Sequence, residues 1–349
     1  MKNPIRLVVI DDSTSFRELL NLVLRDQAHL TVVGLAEDGE KGMKLVLEKR
    51  PDLVLLDLEM PRMDGFSFLR WMMANVPTPT LVLSGRSDPH NVFKALEFGA
   101  CDFLNKLQLY ESWFKHSREF IAKIDAVASI SRTKLVGQVS SPSSPIKVRN
   151  LLRSYQGLLT IGASTGGPRA LIEVLQRIPQ DFPVPVAISQ HMPKEFTSSF
   201  SETLNKKTLM QVSEAQGGEQ LQNGQIYLAP GGRHLLFVKK GNKFYTDIHD
   251  PDEDDLYIPS VDRMMCSAAE TFGSQVLGIV LTGMGHDGRI GLKMVKAKGG
   301  TTFAESEETA VIFGMPRAAI QANVVDKILP LHKIADEVMA HYSTVKSSP

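Results

Sequence analysis

The chain is poor in the features that mark several classes of protein. It has two cysteines in 349 residues, Cys101 and Cys266, solitary and without metal-ligand spacing. That excludes a disulfide framework or a thiolate metal site and reads as reduced thiols in a cytoplasmic protein. Net charge is zero, 39 basic against 39 acidic residues, so no overall field draws it to nucleic acid or an anionic membrane. Long apolar runs are missing too. The first, Leu7 to Ile10, breaks at once on Asp11 and Asp12; neither a secretory leader nor membrane insertion is expected. What remains is a 43% hydrophobic composition, that of a globular chain long enough for two domains.

The most informative stretch that is present is Thr160-Ile161-Gly162-Ala163-Ser164-Thr165-Gly166-Gly167-Pro168. Leu158 to Ile161 predicts a buried strand and Pro168 to Leu175 a helix. A serine between glycines in such a strand–turn–helix fits a nucleophile elbow. The glycines permit a sharp turn with φ > 0 and leave room for a substrate. A glycine-rich turn that only packs closely would read the same way, so the rest of the chain has to decide.

Ahead of it, strands and helices alternate as a parallel sheet requires. Strands are predicted at Ile5–Ile10, Leu30–Ala36, Leu53–Leu56, Thr80–Leu83 and around Cys101–Leu104. Ser15 with Glu18 three residues on predicts a capping box opening the first helix. Helices are also expected at Gly39–Glu48 and Tyr110–Val127. Polar residues stand at the strand ends: Asp11, Asp12, Asp57, Ser84 and Lys106. Such ends share one edge, where ligands bind. Three carboxylates there need a cation, and hard oxygen donors suit Mg²⁺. With a hydroxyl and an ammonium facing them, the set points to phosphoryl transfer to a carboxylate.

Asp11-Asp12, Asp57-Leu58-Glu59-Met60-Pro61-Arg62-Met63-Asp64-Gly65, Ser84 and Lys106 resemble the receiver domain of two-component response regulators. The resemblance implies that Asp57 is the phospho-acceptor and that Asp11, Asp12 and Asp57 bind Mg²⁺. Ser84 and Lys106 would contact the phosphoryl group, and Phe103 matches the aromatic switch position. Leu107 stands where receivers usually carry proline after the lysine. The receiver is expected over 1–125 and a flexible linker over 126–150, where Ser140-Ser141-Pro142-Ser143-Ser144-Pro145 is too polar and broken to pack.

From 151 to about 343 a second α/β domain is expected. It lacks the basic recognition helix of a DNA-binding output. Its acidic run, Asp250-Pro251-Asp252-Glu253-Asp254-Asp255, reads as a solvated loop. Val184–Ser189 predicts a strand entering Gln190-His191-Met192-Pro193, and Val276–Leu281 one entering Thr282-Gly283-Met284-Gly285-His286-Asp287-Gly288. Ser164, His191 and Asp287 thus lie just past strand ends on one sheet edge, as a nucleophile, a base and its orienting acid must. His286 competes as base, though its neighbour Asp287 is poorly placed to orient it. Backbone N–H groups at Thr165 and in the Gly283–Gly285 turn are candidates for an oxyanion hole. A rival reading takes Gly283–Gly288 as a G-x-G-x-x-G dinucleotide fingerprint, with Glu305 ending the next strand.

Gly162–Pro168, Gln190–Pro193, Ala229-Pro230-Gly231-Gly232, Ser260-Val261-Asp262, Thr282–Gly288 and Gly314-Met315-Pro316-Arg317-Ala318-Ala319 together resemble the catalytic domain of the chemotaxis receptor methylesterases. The resemblance covers nearly the whole chain in domain order. It implies Ser164 as nucleophile, His191 as base and Asp287 as orienting acid, with Thr165 and Met284 near the oxyanion. The implied fold is α/β: a flavodoxin-like, doubly wound parallel sheet linked to a Rossmann-like methylesterase domain. The implied substrates are glutamate methyl esters and certain glutamines on methyl-accepting chemotaxis receptors. The implied phosphodonor is the pathway's sensor histidine kinase, and phosphorylation would relieve inhibition by the receiver. The smaller motifs read most simply as local structure: Ala229–Gly232 as a turn, Ser260 as a helix N-cap, and Met264 and Met265 as core.

Overall fold

Short β-branched and leucine-rich runs bounded by polar turns become strands in both halves of the chain. The computed structural model describes residues 3–85, 89–106, 109, 113–136 and 156–344, in two units, Met1–Ser140 and Ser141–Pro349. The first unit holds β1 (Ile5–Ile10), β2 (Leu30–Ala36), β3 (Leu53–Asp57), β4 (Thr80–Ser84) and β5 (Asp102–Asn105). They pair in the order β2-β1-β3-β4-β5, all parallel. Every residue of β3 and β4 is buried, as in strands covered on both faces. Since β3 lies beside β1 on the side away from β2, the loops after β1 and β3 meet at one edge, bringing Asp11 and Asp57 together.

Two details differ from expectation. The first helix, Thr14–Arg25, is capped by Ser13, whose Oγ accepts the Phe16 N–H. Ser15 lies inside the first turn, its hydroxyl 3.1 Å from that of Ser13. Asp11 decides this: its carboxylate takes the Ser13 N–H at 3.0 Å and fixes where the helix starts. The expected linker also begins as packed structure. A helix runs over Trp113–Ala128 and another over Arg132–Val136; Ile130 and Leu135 are buried, and Arg132 donates to the Pro51 carbonyl. Ser140–Pro145 and Leu107 lie outside the described residues.

The second unit holds β6 (Leu158–Ala163), β7 (Val186–Gln190), β8 (Gln211–Glu214) and β9 (Gln225–Leu228), a hairpin of β10 (His234–Lys240) and β11 (Lys243–His249), then β12 (Val276–Val280), β13 (Thr301–Glu305) and β14 (Lys327–Leu329). Its main sheet runs β14-β13-β12-β6-β7-β9-β8, all parallel. β6 therefore lies between β12 and β7. The helix Val261–Phe272 packs across this sheet with the hairpin; its Met264 and Met265 are fully buried core, beside Leu235 and Phe237. It comes so close to β6 that a Cβ on Gly162 would lie 2.2 Å from the Val261 side chain.

The acidic run is more than a solvated loop. Asp255 pairs with the buried His234 and with Arg263, Asp252 also pairs with Arg263, and Asp250 with Arg233. Its partners come from the hairpin and from the helix Val261–Phe272, so only the tertiary fold brings them within reach.

Candidate active site and candidate metal centre

At the carboxyl edge of the second sheet, register delivers the expected nucleophile and the expected base side by side. Ala163 of β6 pairs with Gln190 of β7, and Ser164 and His191 are the next residues of each strand. The His191 N–H donates to the Ala163 carbonyl at 3.0 Å, and the Ser164 N–H to the Thr282 carbonyl beyond β12 at 3.0 Å. The turn after Ser164 needs its glycines. Gly166 has φ +79°, and a Cβ on Gly167 would lie 2.1 Å from the Gln190 side-chain oxygen. Ser164 retains only 9% of its exposure.

His191 Nε2 lies 2.8 Å from Asp287 Oδ2. Asp287 is 1% exposed, and five donors among the described residues converge on it. Besides His191 these are the N–H groups of Val261 at 2.7 Å, Asp262 at 2.8 Å and Gly288 at 3.1 Å, and the Ser260 hydroxyl at 3.1 Å. Burial alone would raise the Asp287 carboxyl. The bond and charge of His191, with the Val261 and Asp262 amides, outweigh it and hold the group below the usual carboxylate range. An ionised carboxylate only accepts, so in the neutral ring His191 Nε2 donates and Nδ1 carries the lone pair. Neighbouring Asp262 is pushed the other way by burial and by the charge of Asp287.

Tyr257 stacks on the His191 ring, centroids 4.9 Å apart and planes 10° off parallel. His286 is exposed and meets Tyr257 edge-on; the carboxylate next to it in sequence is given to His191. Thr165 is buried, its carbonyl accepting the Thr282 hydroxyl at 2.9 Å. Met284 is half-buried on the facing turn. Within that turn the Gly283 N–H is taken by the Ile312 carbonyl, which removes it from the oxyanion candidates.

The dinucleotide reading loses its acid. Glu305 is fully buried, accepting the Thr282 N–H at 2.8 Å and the Thr309 hydroxyl at 2.9 Å, so it braces the Thr282 turn and cannot reach a ribose. Asp287 moreover holds a negative charge at the start of the helix Arg289–Ala297, where a pyrophosphate would sit.

In the first unit Asp11, Asp12 and Asp57 offer oxygen atoms within 4.8 Å of one another. Asp11 and Asp57 are buried and Asp12 is exposed. Lys106 Nζ lies 2.6 Å from both Asp11 and Asp57. Burial pushes the Asp57 carboxyl up to about 6 against the pull of Lys106, and pushes Asp11 up as well. Burial would lower Lys106, but the two carboxylates outweigh it and raise it. Among the described residues Ser84 Oγ is buried and has no hydrogen-bond partner. Two buried carboxylates and an exposed one close together, with a buried hydroxyl facing no partner among the described residues, fit a pocket for a cation and an oxyanion. Phe103 is buried edge-on to Phe93, with Lys123 donating to its carbonyl at 3.0 Å.

A family model for the CheB methylesterase domain matches residues 159–338, and one for the response regulator receiver domain matches residues 7–111. A protein-glutamate methylesterase/protein-glutamine glutaminase of Geobacter sulfurreducens is 41% identical, covering 96% of each chain. The chain belongs to the CheB methylesterase family. A relative of the same name from Myxococcus xanthus is 39% identical over 97% of each chain. The CheB methylesterase catalytic domain of Thermotoga maritima, a crystal structure, aligns at 38% identity and a TM-score of 0.52, covering 53% of this chain and 99% of that one.

One residue at the site, Tyr257, escapes sequence reasoning. It carries no motif. Gly314-Met315 proves to lie on the Gly283 turn: both N–H groups donate to the Gly283 carbonyl, and a Cβ on Gly314 would lie 2.6 Å from that oxygen. The glycine beside Met-Pro is the one sequence signal for such a close approach.

Proposed function

We propose that the second unit hydrolyses glutamate methyl esters of methyl-accepting chemotaxis receptors to glutamate and methanol, and deamidates receptor glutamines, using Ser164, His191 and Asp287 as a triad. The observation that carries this reading is the bond from His191 Nε2 to Asp287, in a ring that follows Ser164 in strand register. Ser164 Oγ attacks the side-chain carbonyl carbon while His191 Nδ1 takes its proton. Thr165 and Met284 border the oxyanion that forms. Collapse breaks the bond to the methoxy oxygen, which leaves as methanol with the proton from His191. An acyl-serine remains. Water attacks it as the same nitrogen takes a water proton, releasing glutamate and returning that proton to Ser164. With glutamine the leaving group is ammonia and the steps are otherwise the same.

Asp57 is the proposed phospho-acceptor, with the pathway's sensor histidine kinase as donor. Asp11, Asp12 and Asp57 would hold Mg²⁺, which when bound neutralises charge on the transferring phosphoryl group. Lys106 and Ser84 would bind that group's oxygens, and Phe103 would respond to their movement. The scarcity of cysteine, two residues in the whole chain, supports a cytoplasmic location.

The test is methanol release from methyl-labelled receptor membranes, with and without a small phosphodonor and Mg²⁺. Release should rise with phosphodonor and vanish in Ser164→Ala. Undiminished release from Ser164→Ala would overturn the serine mechanism.

A further inference from the structure

We infer that His234 is a positioning residue for this hydrolysis, holding Asp287 in place through Ser260. It rests on the reading of Asp287 as the acid that orients His191. Asp287 takes most of its donors from the start of the helix Val261–Phe272: the Ser260 hydroxyl and the amides of Val261 and Asp262. The placement of that turn therefore sets the placement of the carboxylate. His234 is fully buried at the start of β10, and its Nδ1 accepts the Ser260 N–H at 3.1 Å. Its Nε2 lies 3.0 Å from Asp255 Oδ2. Nδ1 can accept only when the ring proton is on Nε2, the tautomer that Asp255 selects. Asp255 is itself fixed by the Asp252 N–H at 2.8 Å and by Arg263 Nε at 2.9 Å.

Two arms thus run from one carboxylate to the first turn of the helix. One passes through His234 to Ser260, the other through Arg263, whose own N–H bonds the Ser260 hydroxyl. Ser260 joins this assembly to Asp287, and Asp287 to His191. A buried histidine serving stability alone would tie the hairpin to the helix. It would not need to accept from the very residue whose hydroxyl bonds the catalytic acid.

Asparagine and glutamine at position 234 separate the two roles. Asparagine Oδ1 stands where Nδ1 stood and can take the Ser260 N–H. Glutamine fills more of the ring's volume but carries its polar atoms one bond further out. Positioning therefore favours asparagine in kcat, whereas packing alone favours glutamine. In the full chain, His234→Gln should lower kcat for methanol release by roughly ten- to a hundred-fold with KM little changed, the scale of a remote misplacement of about 1 Å. His234→Asn should recover most of that loss. The downfield proton resonance of the His191–Asp287 hydrogen bond should shift in His234→Gln and hold in His234→Asn. Equal kcat in the two variants, or an unmoved resonance in a slowed His234→Gln, overturns the inference. If His234→Gln does not fold, Asp255→Asn removes the group that selects the tautomer and is read the same way. Ser164→Ala and Asp287→Asn run alongside: activity surviving in them sinks the triad, while their inactivity beside an unimpaired His234→Gln sinks only the role of His234.

Discussion

The side-chain amide of Gln190 donates to the backbone carbonyl of Ser164 at 2.9 Å. The same nitrogen reaches the His191 carbonyl at 3.0 Å, so one buried amide ties the residue after β6 to the residue after β7. Gln190→Glu replaces that donor with a group that only accepts and sets it against two carbonyls. We expect kcat to fall by about ten- to a hundred-fold at little change in KM, with stability reduced by about 1–3 kcal/mol. Steady-state methanol release and denaturant unfolding check the two parts.

Removing members of the proposed triad should give unequal losses. Ser164→Ala should lower kcat by more than about 10⁴-fold with the fold intact, because the elbow accommodates a methyl group. Asp287→Asn should be somewhat milder in rate but worse for stability. An amide presents one oxygen to the five donors that converge there, and its NH₂ must face at least one of them. Kinetics and thermal melts of both variants, measured together, test the contrast.

Tyr257 lies flat on the His191 ring, and Gly285, at φ +82°, leaves it space: a Cβ there would lie 2.3 Å from the tyrosine hydroxyl. Tyr257→Phe keeps the ring and should be close to wild type. Tyr257→Ala loses a stacking interaction of about 0.5–1.5 kcal/mol and should lower kcat/KM accordingly. Gly285→Ala combines backbone strain with displacement of the ring and should be the worst of the three. Ranking kcat/KM across them is the check.

Asp57 gives a pH-dependent prediction. Its carboxyl rises from 3.8 to about 6 in the fold. Between those values the folded chain keeps a proton that the unfolded chain releases, so stability falls as pH rises through the window. The loss at neutral pH is on the order of 3 kcal/mol. Asp57→Asn stays neutral throughout, so β1 and β3 amides should exchange more slowly than in wild type at pH 7. The difference should close near pH 4 and narrow when Mg²⁺ is added at pH 7. The same variant should keep basal esterase activity and lose the gain from a small phosphodonor.

The first sheet and the centre of the second are legible in the sequence because their strands are short apolar runs closed by turns, whereas the edge strands β8 (Gln211–Glu214) and β14 (Lys327–Leu329) are short and largely unburied and carry no such run. The polar residues at the ends of the apolar runs mark both sites for the same reason. Local pattern fails where a partner arrives through tertiary structure. Ser15 with Glu18 carries the capping-box spacing, yet the Asp11 carboxylate claims the Ser13 N–H and the helix starts there. Glu305 keeps the spacing of a ribose ligand, yet only its burial beside Thr282 shows it to be a brace. Asp255 reads as one charge in a polar run because His234 and Arg263, its partners, come from a hairpin and a helix.

The position of β6 between β12 and β7 gathers the proposed triad at one end of the strand axis, away from the turn that enters β12. Five residues of β12 separate the two by roughly 16 Å. The turn that enters β12, with Ser274 exposed on it, is thus a natural place for a fluorophore or a surface tether. A reporter there would follow the protein during turnover without entering the path of the ester.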